Sequence, residues 1–286
     1  MVLRVGIHPN NLHLFLAGSW PGAFDGLDVT FVPYEEGRDS AKLLAEGRID
    51  MCGTGSTPPI LAQAAGMDVV YVAASAPRPA NGGLVVAPGS PITDMRSLKG
   101  GRVALLDGSF HTYLLARELE KVGLRLGDVH RTELSPGASL RALGTGEVEA
   151  WVAMAPLLDQ SLAAGRAQLL TRCGDTIPNR SVFWTLRGCA VSEATLDGFA
   201  ACLARLGRDI AADPLRAARL LADAGAGEAD IAAWREVVAA RDWSIGPAGP
   251  QIIAEQQAEA DTLVRHGDLP RQLDLATALR PAFLAA

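Results

Sequence analysis

Gly53 to Gly66 reads GTGSTPPILAQAAG, with small polar residues ahead of a proline pair and then an apolar run. The first turn of a helix tolerates proline, because its missing N–H would have had no intrahelical partner there and its fixed φ already suits the helix. Ser56 or Thr57 then reads as the N-cap, with Pro58 and Pro59 in the first turn. Such an end carries free N–H groups, hydroxyls and positive partial charge, which suits an anion.

Outward from that turn, LRVGI, LDVTFVPY, DVVYVAA and GGLVVAP are short apolar runs bounded by glycine, proline and aspartate, and they predict strands. SAKLLAEG and PPILAQAAG between them have helical spacing and end at glycine. The pattern restarts with GRVALLDGS as strand, FHTYLLARELEKVGL as helix, VHRTELS as strand, ASLRALGTG as helix and EAWVAMAP as strand. After SVFWTLRGCAVS the chain reads as helices, through LDGFAACLARLGRDIAADP, LRAARLLADAG, EADIAAWREVVAARD and GPQIIAEQQAEADTLVRHG.

This alternation predicts an α/β protein of two lobes around a cleft, each lobe a mostly parallel sheet flanked by helices. The expected division is residues 1–87 for the first part of lobe 1, 88–186 for lobe 2 and 187–286 for a helical return completing lobe 1. The expected hinges lie near Ala87 and Leu186. Ligands of open α/β sheets sit at the carboxyl ends of strands. That points to His8, Asn10 and Asn11, to Ser56 and Thr57, to Ser109, Phe110 and His111, and to Met154 and Trp184. Gly-Ser opens a helix after a strand at both Gly55-Ser56 and Gly108-Ser109, so one helix mouth from each lobe could grip one small anion.

Composition narrows the function. The chain has 286 residues, 49% hydrophobic and 20% charged, with a formal net charge of −6. That is no basic footprint for nucleic acid. No run approaches the ~18 apolar residues of a membrane span. The cysteines, Cys52, Cys173, Cys189 and Cys202, show no CxxC spacing, and the histidines no HExxH, so neither a metal nor a cofactor is expected. Cys173 and Cys189 could pair in an oxidising compartment. MVLRVGIHP enters a strand at once, which reads as a cytoplasmic chain as written, or as a periplasmic or lipoprotein-anchored one whose export signal was removed.

STPPILAQAAGMDVVYVAA, GSPITDMRSLKGGRVALLDGS, LLARELEKVGL, GTGEVEAWVAMAP and IIAEQQAEADTL together resemble successive segments of the aliphatic-sulfonate-binding proteins of bacterial ABC importers, which belong with the taurine- and nitrate-binding group. The resemblance runs from Leu3 to about Leu275. It implies a periplasmic-binding-protein-like fold of type II, closing on a small organic anion, with an ABC permease as partner and a monomer as the working form. It places the cleft at His8 to Asn11, Ser56 and Thr57, Ser109 to His111, and Met154 to Pro156. Met154-Ala155-Pro156 stands where the family commonly has Trp-Asp-Pro, which removes a carboxylate and an indole from the expected cleft.

Each candidate has two readings. His8 could donate to an anion or act as a general base, or simply bond the backbone. His111 lies at a helix mouth that favours neutral imidazole. Cys52 could be a nucleophile beside a helix N-terminus, or a small buried apolar residue. Phe110 and Trp184 could wall an organic tail or pack the lobes. Glu35, Glu36 and Arg38 read as a solvated charge run. The leading expectation is a solute-binding protein for ABC import. The alternative is a cytosolic enzyme on the same scaffold, desulfinase- or lyase-like, with His8 as acid/base and perhaps Cys52 or His111.

Overall fold

The computed structural model describes residues 2–224, 230–280 and 283. One lobe holds β1 (Leu3–Ile7), β2 (Val29–Pro33), β3 (Cys52–Thr54), β4 (Val69–Ser75), β10 (Val182–Leu186) and β11 (Ile245–Pro247). The other holds β5 (Gly82–Val86), β6 (Arg102–Leu105), β7 (His130–Glu133), β8 (Ala150–Met154) and β9 (Gln168–Arg172), in the order β7-β6-β8-β5-β9. In lobe 1 the order is β11-β4-β10-β3, and the parallel pair β1–β2 joins it through a bridge between Val5 and Met51.

Most strands of each lobe share one direction, as expected, with β10 and β11 running the other way in lobe 1 and β5 in lobe 2. β10 is antiparallel to both β3 and β4. β5 is likewise antiparallel to β8 and β9, whereas β6 runs parallel to β7 and β8. β5 and β10 are the first strands after the chain crosses between lobes. The crossings therefore lie before them, at residues 76–81 and 173–181. The boundaries expected at 87 and 186 fall one strand late, because β5 pairs within lobe 2 and β10 within lobe 1.

The two crossings run side by side. Ser75 N–H donates to Ser181 O at 2.9 Å, and Arg78 N–H donates to Pro178 O at 3.1 Å. A Cβ on Gly174 would lie 2.3 Å from Cβ of Pro79, so only glycine lets the crossings touch there. Cys173 sits in this seam, its Sγ donating to Pro79 O at 3.2 Å. All four cysteines are free, so the Cys173–Cys189 bond does not form.

Helices cover both faces of each sheet. Lobe 1 carries α1 (Leu12–Ala17), α2 (Ser40–Ala45) and α3 (Thr57–Ala64), and lobe 2 carries α4 (Phe110–Lys121), α5 (Pro136–Thr145) and α6 (Leu157–Ala163). α7 (Glu193–Ala212), α8 (Pro214–Asp223), α9 (Ile231–Ala239) and α10 (Pro250–Arg265) form the return. Gly225, Glu228 and Ala229, at the ends of two predicted return helices, lie outside the described residues. Leu3, Leu14, Phe199 and Trp243 fill one face of lobe 1, and Ile60, Tyr71, Trp184 and Leu263 the other. Leu84, Val103 and Leu114 fill one face of lobe 2, and Val85, Leu143 and Trp151 the other. No helix among the described residues is long and apolar enough to cross a membrane. Beyond the crossings, the turn after α10 also reaches lobe 2, where Arg131 donates to Asp268 through two hydrogen bonds, at 2.7 and 2.9 Å.

Candidate ligand-binding cleft

Strand ends from both lobes meet at a cavity of about 630 Å³. β1 delivers His8, β3 delivers Thr54 and Gly55, β6 leads into Leu106 to Ser109, and β8 ends at Met154. The crossing contributes Arg78 and Asn81. Of the ligand contacts expected from the sequence, His8, Asn10, Ser109, Phe110, His111 and Met154 line this space, with Glu35, Glu36 and Arg38 at its rim.

The remainder face elsewhere. Asn11 is buried, and its Oδ1 accepts from Leu14 N–H at 3.2 Å, capping α1. Ser56 caps α3 by position, but its side chain makes no capping bond. Thr57 is 1% exposed and donates its hydroxyl to the Glu259 carboxyl on α10, while Gln256 donates to Ser56 O at 2.8 Å. Their turn of α3 thus faces α10, and only Gly55 and Pro58 of that mouth reach the cavity. Burial pushes Glu259 up to about 7, with the Ser56 and Thr57 hydroxyls opposing. Trp184 is fully buried on central strand β10, with Nε1 donating to Thr54 Oγ1 at 3.1 Å, so it packs the lobe and walls no tail.

Cys52 is also fully buried, and burial pushes its thiol well above the ordinary range. A protonated thiol without solvent access is no nucleophile. The bland reading of Cys52 stands.

The two cleft histidines are neutral but present opposite chemistry. His8 Nε2 lies 2.9 Å from Gly53 O. A carbonyl only accepts, so Nε2 carries the proton and Nδ1 is a bare lone pair. Burial pushes His8 down to about 4, with the Gly53 bond opposing. Leu106 N–H donates to His111 Nδ1 at 3.2 Å, which puts the proton of that ring on Nε2. Burial pushes His111 down to about 3. His8 Nδ1 and His111 Nε2 are both buried without a partner. The two rings therefore offer one orphan acceptor and one orphan donor. Ser109 is already engaged, donating to Leu106 O at 2.6 Å and accepting from His111 N–H at 3.2 Å. That capping bond holds the mouth of α4 open towards the cavity.

Arg78, Asn81 and Arg241 escape sequence reasoning; Arg78 and Asn81 line this cavity, and Arg241 lies outside it, against Asn81. Arg78 is 6% exposed. Its Nε donates to Asn179 O at 2.7 Å and its Nη2 to Asn179 Oδ1 at 2.9 Å, both neutral partners. Burial pushes Arg78 down to about 10. Arg241 donates from Nη2 to Asn81 Oδ1 at 2.6 Å, and burial, with Arg78 nearby, pushes it to about 9. Neither arginine makes an ion pair among the described residues. By contrast, the acidic side chains of the rim are mostly paired. Arg38 joins Glu36 to Glu133 of the other lobe, and Asp107 meets Arg131 at 2.9 Å. The run expected to be merely solvated thus ties the mouth of the cleft together. An arginine between two prolines just after β4 (Pro77-Arg78-Pro79) was a usable signal, by its place at a strand end. Arg241 carried none.

Residues 23–169 match the family described as NMT1/THI5 like. The alkanesulfonate-binding protein SsuA from Xanthomonas axonopodis pv. citri, solved bound to MOPS, superposes with a TM-score of 0.86 at 29% identity, covering 98% of each chain. The periplasmic aliphatic sulphonate binding protein SsuA from Escherichia coli gives 0.85 at 27%, covering 98% of this chain and 92% of its own. The Candida albicans CA3427 gene product, described as having the generic periplasmic binding protein fold, gives 0.73 at 16%, covering 98% and 96%. The two-lobed architecture is that of the periplasmic binding proteins.

Proposed function

The chain belongs to the NMT1/THI5-like family, and we propose that it is a solute-binding protein that captures a small sulfonate-like organic anion for ABC import. One observation carries the reading: the cleft is lined by a buried guanidinium, Arg78, that has only neutral protein partners. A desolvated cation without a counterion is costly, and an anionic ligand completes it. His111 Nε2–H adds a donor from the facing lobe, at the positive end of α4. Phe110 and Met154 supply apolar surface for a hydrocarbon tail. His8, Asn10, Ser109, Phe110, His111 and Met154 form the contact set from the sequence, joined by Arg78 and Asn81.

The likeness to the two SsuA proteins supports sulfonates over other anions and a periplasmic place of work beside a permease. A monomer is the expected form. The buried thiol of Cys52 gives the enzyme alternative no support. Calorimetric titration of the purified protein with methanesulfonate to hexanesulfonate is the test, with light scattering for the monomer. Saturable binding is expected, and its absence across the series would refute the reading.

A further inference from the structure

The cleft does not end at Arg78. A second chamber of about 280 Å³ shares Asn10, Asn81, Ser135, Pro136 and Met154 with the first. Its lining includes Arg141 and Arg241 and contains no aspartate or glutamate. Three kinds of donor border it, although Arg241 and Asn81 also border a neighbouring cavity lined by Asp159 and Glu236. Arg241 Nη1 is shut off from solvent and has no partner, since only Nη2 reaches Asn81. Asn81 is 7% exposed, and because its Oδ1 accepts from Arg241, its orphan Nδ2 is the remaining donor. The N-terminus of α5 opens into the same space through Ser135 to Ala138, and the Ser135 side chain makes no capping bond there. The first-turn N–H groups of Gly137 and Ala138 consequently have no intrahelical partner. Leu12, Met154, Leu157 and Trp234 make the rest of the wall largely apolar.

A chamber lined by cations, orphan donors and a helix N-terminus, without a carboxylate, is chemically complete only with an anion in it. Since it shares five lining residues with the Arg78 cavity, one molecule can reach from one chamber to the other. Resting on the sulfonate reading above, we infer that the ligand carries two anionic groups: a sulfonate held at Arg78 and a carboxylate-like group held by Arg241, Asn81 and the mouth of α5. The substrate class is then the ω-sulfocarboxylates rather than simple alkanesulfonates.

Calorimetry on the full chain tests this with sulfoacetate, 3-sulfopropanoate and 4-sulfobutanoate, each against the alkanesulfonate of equal carbon count. A charge-assisted hydrogen bond predicts that the best-fitting dianion binds roughly ten- to a hundredfold tighter than its monoanionic partner. Arg241→Gln keeps a donor for Asn81 but removes the charge. It should abolish that advantage while leaving alkanesulfonate affinity within about threefold, so alkanesulfonate binding also reports that the variant is folded. Dianions that bind no tighter than monoanions overturn the second subsite and leave the sulfonate reading standing. A dianion preference that survives Arg241→Gln overturns it as well. Absence of binding by both classes removes the sulfonate reading and the subsite together.

Discussion

Replacing Arg78 by methionine should separate binding from stability, because the residue's charge is unfavourable until an anion arrives. Burial pushes the guanidinium down to about 10. Against its ordinary value that corresponds to roughly 3 kcal/mol of unfavourable charge burial in the empty protein. Methionine removes this cost and has comparable reach. It also strips the donors from Asn179 O and Oδ1, at about 1–3 kcal/mol for each buried acceptor left unsatisfied. The two effects oppose one another, so the melting temperature of the unliganded variant should move by only a few degrees. Binding has no such compensation. Loss of one charge-assisted hydrogen bond weakens an anion by about 1.5–3 kcal/mol, or roughly ten- to a hundredfold in Kd. Titration calorimetry with an alkanesulfonate gives the second quantity and differential scanning calorimetry the first. Arg78→Lys keeps the charge without the fork that meets Asn179, so its affinity should fall between the two. Parental affinity in Arg78→Met would refute the argument, since the guanidinium would then not be the counterion. A large loss of stability with affinity retained would show Arg78 to be a strut between the crossings.

Glu259 is pushed up to about 7, so the fold is favoured while it is protonated and loses that contribution as pH rises from the ordinary carboxylate range through 7. Glu259→Gln should therefore raise the melting temperature at pH 8 more than at pH 5, and an equal gain at both would contradict the assignment. His8, His13 and His111 are pushed down to about 4, 3 and 3, so the unfolded chain takes up protons before the folded one does. Stability should fall as pH drops below the ordinary histidine value, by about 2 kcal/mol per histidine at pH 5 as an upper estimate. Urea unfolding of the parent and His13→Gln would show it, the variant having the shallower acid limb. The crossings at 76–81 and 173–181 should act as the hinge, and small-angle scattering should record a smaller radius with saturating ligand than without. An unchanged radius would mean that the lobes do not close.

Most of the fold was legible because its elements punctuate themselves. α3 and α4 begin at Gly-Ser after a strand, and β4 and β5 are apolar runs between turn residues. What escaped has local causes. α1 spells LHLFLA and buries Leu12, His13, Leu14, Leu16 and Ala17, so it carries no polar stripe to mark a helical period. β5 is buried along its whole length, so its pattern cannot say which lobe's sheet it joins, and the expected boundary falls one strand late. Arg241 ends a stretch with no motif. Its significance is a guanidinium with no carboxylate partner among the described residues, a property of the folded chain and not of any window of sequence.

The two Gly-Ser turns show where sequence reasoning about this cleft stops. They carry the same signature and predict the same anion-holding mouth. In lobe 2, Ser109 bonds its own helix and its own strand end, at His111 N–H and Leu106 O, so the local pattern determines the local structure. In lobe 1, the side chain that meets Thr57 is Glu259, 202 residues further along. That carboxyl takes the Thr57 hydroxyl, which the sequence offered to a ligand, and occupies the place the sequence predicted for an anion. On the function proposed here the positive charge comes instead from the crossing, where Arg78 is held by Asn179, one of the few residues whose side chain tolerates a left-handed backbone, here at φ 44°. A helix start can be read from four residues. Whether its dipole serves a ligand or a neighbouring side chain depends on which distant residue packs against it, and in this chain that residue is on α10.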